Sequence, residues 1–196
     1  MEIVENSENK WIKPEDIQKP TKKKGSKKTA LIIFLITFVL VIGAAVGVYF
    51  YLNAPVKFTT KDGKLSITMT RAFKQKDDPY LKIATNKAVF YADRLDFDLL
   101  ELNGFNHEEL DTVDVAYMDS SAVGGTVTVD KQNNLVYYEY VDADQNDRYY
   151  NLIFVFEGAE EYWFGCFYCF EEDRDNFRNQ FLKWGATIEI NNNVNA

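Results

Sequence analysis

Hydrophobic positions fall into two regimes along this chain. From Leu31 to Leu52 they form one uncharged run, LIIFLITFVLVIGAAVGVYFYL; beyond Val56 they come in short bursts that alternate with polar residues and are separated by Asp, Asn and Gly. The first regime predicts a transmembrane helix over 31–52. At 1.5 Å per residue it would be roughly 33 Å long, matching the ~30 Å hydrocarbon core of a bilayer. Fifteen of its residues are Leu, Ile, Val or Phe, which favour insertion by about 5 to 9 kcal/mol together.

The second regime predicts strands and a few helices. Val56–Thr60 and Leu65–Thr70 flank an Asp62-Gly63 turn and read as a hairpin, with Leu65, Ile67 and Met69 facing a core and Ser66, Thr68 and Thr70 facing outward. Lys74–Tyr80 reads as a loop and Ala88–Ala92 as a strand, while Asp93–Leu102 is open between a helical turn and irregular structure. Asn106 and Glu109 resemble a capping box opening a helix with Leu110, Val113 and Tyr117 on one face, ended by Gly124-Gly125. Strands at Thr126–Val129, Leu135–Val141, Tyr149–Phe156 and Tyr162–Phe170 then form an antiparallel meander, the last two apolar on both faces and therefore central. A helix at Asp173–Lys183, with Phe177 and Phe181 one turn apart, and a closing strand at Thr187–Ile190 complete an α+β domain: an antiparallel sheet of six to seven strands flanked by helices, spanning 53–190, with 191–196 frayed.

Charge sets the orientation of the apolar helix. Residues 1–30 have no periodicity and carry eight Lys, six of them between Lys19 and Lys28, so they read as a disordered basic tail on the cytoplasmic side, with the C-terminal domain outside. Trp11, Ile12 and Ile17 are its only apolar groups beyond the N-terminal residues, and they offer a docking motif for a cytoplasmic partner. A cleaved signal peptide is the competing reading; its apolar core would be shorter, and Asn53-Ala54-Pro55 is a poor cleavage site because Pro follows. Gly43 and Gly47 have the spacing of helices that dimerise by close backbone approach. Of 22 basic and 30 acidic residues, the part after residue 30 holds 14 and 25. Nucleic acid is thus disfavoured as a partner, whereas the bilayer, a protein partner or a small ligand is allowed.

Candidate chemistry adds little to this. Cys166 and Cys169 stand three apart in a predicted strand, on opposite faces and ~10 Å apart, which predicts buried unpaired thiols and not a disulfide. His107, the sole histidine, is expected as an exposed helix-start residue. Ser120 and Ser121 lack a nucleophile-elbow context, no phosphate-binding glycine loop occurs, and Asp142–Asp147 departs from a calcium loop where Gly and the bidentate Glu are needed, so a hairpin turn is expected there. No catalytic, cofactor-binding or metal-binding residue is assigned and no cofactor is expected.

The closing phrase Tyr162-Trp163-Phe164-Gly165-Cys166-Phe167, followed by an acidic helix and Phe181-Leu182-Lys183-Trp184-Gly185-Ala186-Thr187-Ile188, resembles the end of extracytoplasmic domains of small single-pass proteins of Gram-positive bacteria, whose layout is similar to the PsbP-like fold. That resemblance implies an antiparallel sheet flanked by helices and a binding or accessory role over a catalytic one. The alternatives are a carboxylate-based envelope hydrolase, since acids are plentiful, and a membrane sensor signalling through the tail.

Overall fold

The computed structural model describes residues 27–144 and 147–193. The expected tail lies almost wholly outside them, as do the last three residues. The chain divides into two compact units, 1–47 and 48–196.

Helix α1 (Lys27–Asn53) begins four residues before the apolar run. Its stretch Leu31–Asn53 has a mean hydropathy of 3.0 and buries nothing, so it is long and apolar enough to cross a membrane. Among the described residues, a Cβ on Gly43 or Gly47 would meet nothing within 4 Å beyond the helix's own neighbouring backbone. At the other end the Asn53 amide donates to the Tyr49 carbonyl at 2.8 Å, and Pro55, which cannot continue a helix, follows.

In the unit 48–196, β1 (Pro55–Thr59) and β2 (Leu65–Thr70) form the expected hairpin. They belong to a small sheet, β1-β2-β10, in which β10 (Glu189–Ile190) pairs with β2. The remaining strands are β3 (Lys74–Lys76), β4 (Leu81–Ala84), β5 (Ala88–Asp96), β6 (Thr126–Asp130), β7 (Leu135–Asp144), β8 (Asp147–Glu157) and β9 (Glu161–Phe170). They make a seven-stranded antiparallel sheet in the order β3-β4-β5-β9-β8-β7-β6. The meander β6 to β9 is as expected, with β9 and β8 central. The helices are α2 (Phe97–Leu102), α3 (Thr112–Val123) and α4 (Arg174–Gly185).

Period-two alternation in β8 and β9 builds two cores. Leu152, Phe154, Trp163 and Phe167 point to one face, where β2 and α4 contribute Leu65, Ile67 and Phe181. Ile153, Val155, Tyr162 and Cys166 point to the other, where α2 and α3 supply Leu100, Val115 and Ala116. The two cysteines are accordingly buried, free and in different cores. Burial pushes both thiols up, Cys169 to about 11, which suppresses the nucleophilic thiolate. A thiol reagent should therefore leave the native protein unlabelled and count two thiols once it is unfolded.

Several expectations need correction. The domain has two sheets where one was expected, and the closing strand joins the small one. Ser66 is buried instead of facing outward, because β10 lies beside it; its hydroxyl is 3.5 Å from a Glu189 carboxylate oxygen. The expected loop at Lys74–Tyr80 contains β3, and β4 follows unforeseen; β3 is an exposed edge strand with no apolar alternation to betray it. Asp93–Leu102 resolves into the end of β5 and then α2. Asn106 caps only a 3-10 turn at His107–Glu109. The helix proper starts one turn later, at a capping box of Asp111 and Asp114, so it buries Val115, Ala116 and Ser120 while Tyr117 faces solvent. β7 and β8 pair as far as Asp144 opposite Asp147; Gln145 and Asn146, within the expected turn, lie outside the described residues.

An ion cluster ties α4 to the sheet. Glu139 of β7 accepts from Tyr150 Oη at 2.7 Å and from Arg178 Nε at 3.0 Å and Nη2 at 2.5 Å, with Arg174 Nη2 at 3.4 Å. Burial acts to raise the Glu139 pKa, but Arg178 and Tyr150 outweigh it and hold the group below its ordinary 4.5. A depressed folded pKa means stability that is present above pH 4.5 and lost as pH falls through the lower folded value. Replacing Glu139 by Gln should lower the denaturation midpoint at neutral pH, with the deficit shrinking in acid.

Candidate functional site

Five segments of the unit 48–196 converge on an open groove of about 1010 Å³. They are the β1–β2 turn, the loop before β4, the end of β5, α2 with the 3-10 turn, and the β8–β9 turn. Local chemistry builds each. Asp62 closes the β1–β2 turn by accepting from Thr60 Oγ1 at 2.6 Å and Lys64 N at 3.1 Å. In the β8–β9 turn Gly158 N donates to Glu161 O at 2.8 Å, and a Cβ on Gly158 would stand 2.9 Å from that same oxygen, which is why the tight turn carries glycine. Phe97 N donates to Glu160 O at 3.0 Å, fastening the start of α2 to this turn.

The floor of the groove is an ionic cluster. Glu161 is 3% exposed; it accepts from Lys64 Nζ at 3.1 Å and from the Trp163 indole N–H at 3.0 Å. The hydrogen bond from Lys64 to Glu161 raises the Lys64 pKa against the opposing effect of burial, and Glu160, 3.5 Å away, adds to the rise. Arg94 lies 5.0 Å over the Tyr80 ring, with Asp62 at 3.7 Å and Asp96 at 3.4 Å. The Asp96 contact is misaligned for a hydrogen bond, so Arg94 Nε is a buried donor without an acceptor. Asp62 and Asp96 thus share the Arg94 guanidinium, and Glu160 and Glu161 share the Lys64 ammonium.

The wall is apolar and aromatic. His107, expected in the open, is half-buried: its ring stacks on Phe97 at 4.5 Å and its Nδ1 meets Glu101 at 2.8 Å. Leu99 and Leu102 line the same wall at 49% and 84% exposure, and Phe105, three residues on in the chain, is 44% exposed. Three large apolar side chains left in water within seven residues form the kind of patch that marks a contact surface. Sequence reading gave His107 no role beyond an exposed helix start, and it missed Lys64, Tyr80, Arg94, Phe97 and Glu161, which are brought together from separate segments and carry no shared motif.

The other residues singled out by sequence lie elsewhere. Ser120 and Ser121 donate to the Tyr117 and Met118 carbonyls of α3. Among the described residues no three of His, Cys, Asp and Glu converge as a metal site.

The backbone of this unit is similar to that of cyanobacterial PsbP (CyanoP) from Synechocystis sp. PCC 6803, with a TM-score of 0.50 at 10% identity over 71% of this chain and 94% of that one. A protein of Bacteroides thetaiotaomicron VPI-5482 aligns with a TM-score of 0.48 at 10% identity, over 69% of this chain and 48% of its own. Comparison of the sequence with family models and with curated proteins finds no match. The domain has a PsbP-like fold; at this identity the likeness concerns the fold alone.

Proposed function

We propose that the chain is a single-pass protein of a bacterial envelope, its N-terminus cytoplasmic and its PsbP-like domain extracytoplasmic, and that the domain is a non-catalytic binding or accessory module. The observation that carries this reading is the groove wall formed by Phe97, Leu99 and Leu102 beside the acidic rim of Asp62, Asp96 and Glu160. Such a surface fits a partner segment that offers apolar side chains together with a cation. The surplus of acids in this part of the chain favours the same partner. Gly43 and Gly47 are where a second copy would approach within the membrane.

Protease added to intact cells should remove the domain and spare the tail; loss of the tail instead would overturn the orientation. A photo-crosslinking side chain at position 102 should give a discrete adduct in cells that Leu99→Asp suppresses. The same probe at Val129, also exposed but on β6, should give none. Equal labelling from both positions would remove the groove as the binding surface.

A further inference from the structure

We infer that a second pocket, beside Asn53, holds the phosphate headgroup of an anionic phospholipid; this rests on the membrane anchoring proposed above. The pocket is open, about 440 Å³, and lined by Asn53, Phe73, Lys87, Phe177, Lys183 and Trp184 among others. Three independent features select the ligand.

Position comes first. Asn53 directly follows Leu52, the last residue of the apolar run, and a spanning helix delivers its terminal residue to headgroup depth. The chain around the pocket is fastened to that terminus: Ala72 N donates to Leu52 O at 3.0 Å and Arg71 N to Ala54 O at 2.9 Å. Headgroups therefore reach it at a fixed, high effective concentration, which a soluble phosphate would not.

Charge comes second. The lining contains two lysines and no Asp or Glu, although acids outnumber bases by 25 to 14 after residue 30. Lys183 has no ion pair among the described residues. Lys87 Nζ touches one carboxylate, Asp173 at 3.5 Å, and with its side chain 59% exposed it keeps ammonium protons for another acceptor. Arg71, next in sequence to the pocket's Thr70 and Ala72, lies 4.6 Å over the Tyr51 ring and has no carboxylate partner among the described residues.

The third feature is aromatic. Trp184 is half-buried and packs edge-on against Phe73 at 5.1 Å, leaving a ring with one polar edge at the level where such rings are favoured.

The test uses the full chain in nanodiscs of phosphatidylcholine alone or mixed with phosphatidylglycerol, read by hydrogen exchange. Phosphatidylglycerol should slow exchange at 177–184 and 85–88 by about ten-fold, a stabilisation of the kind any ligand of the native state confers. The difference should vanish in K87Q/K183Q and be partly lost in K183Q, which keeps the Asp173 pair, while exchange in β8 stays unchanged as the measure of intact folding. Equal exchange in the two lipids, or a difference that survives K87Q/K183Q, would overturn the inference. So would inorganic phosphate reproducing the protection in phosphatidylcholine discs, since the occupant would then be the free anion. Release of the protein by alkaline carbonate would instead defeat the anchoring itself.

Discussion

Gly185→Ala should lower the stability of the domain by about 3 kcal/mol, at the upper end of what overpacking a core costs. Gly185 is the last residue of α4 and is buried, and its φ is not in the left-handed region. By helix propensity alone, alanine there would be the better residue by about 1 kcal/mol. The sign is reversed by Phe154. A Cβ on Gly185 would stand 2.2 Å from Cζ and 2.3 Å from Cε2 of that ring, which is fully buried in the centre of β8 and has no room to retreat. Urea denaturation should show a lower midpoint with an unchanged slope. The double variant Gly185→Ala with Phe154→Leu should be more stable than the sum of its single changes, because the two residues share one space. An unaltered midpoint for Gly185→Ala would mean that α4 does not close on the sheet as described.

Phe167→Ala should cost about 3 to 5 kcal/mol, a large share of the roughly 5 to 15 kcal/mol that holds a domain together. Its ring is fully buried and has four aromatic neighbours: Phe90 at 4.8 Å, Phe181 at 4.9 Å, Phe154 at 5.9 Å and Trp184 at 6.4 Å. Those neighbours come from β5, α4, β8 and the end of α4, so one truncation loosens the join between the large sheet and its covering helix. Phe170, three residues on and 39% exposed, is the comparison; its replacement by Ala should cost well under half as much. The loss should appear as a lower midpoint in thermal or chemical unfolding. Comparable losses at 167 and 170 would contradict the division of β9 into a buried centre and an exposed end.

These two sites also show where reading the sequence stops. That β9 is apolar on both faces was legible, and so was its central place in the sheet. The clearance between Gly185 and Phe154 was not, because it joins residues 31 apart in sequence through packing alone. The groove is a sharper case. Lys64, Arg94 and Glu161 look like ordinary surface charges in their own segments, and only the pairing of β5 with β9 and the approach of the β1–β2 turn to Glu161 bring them together.

The sequence by itself determined the elements whose signal is local. The apolar helix follows from its length and lack of charge, the β1–β2 hairpin from strict alternation about Asp-Gly, the meander from apolar bursts spaced by turns, and the separated thiols from a three-residue offset in a two-residue repeat. Tertiary structure alone decided the partition into two sheets, the return of β10 to β2, the true start of α3, and both pockets. Each of those depends on contacts between distant segments, where a polar residue is buried or a carboxylate matched only because another part of the chain arrives beside it, and no short window of residues encodes that arrival.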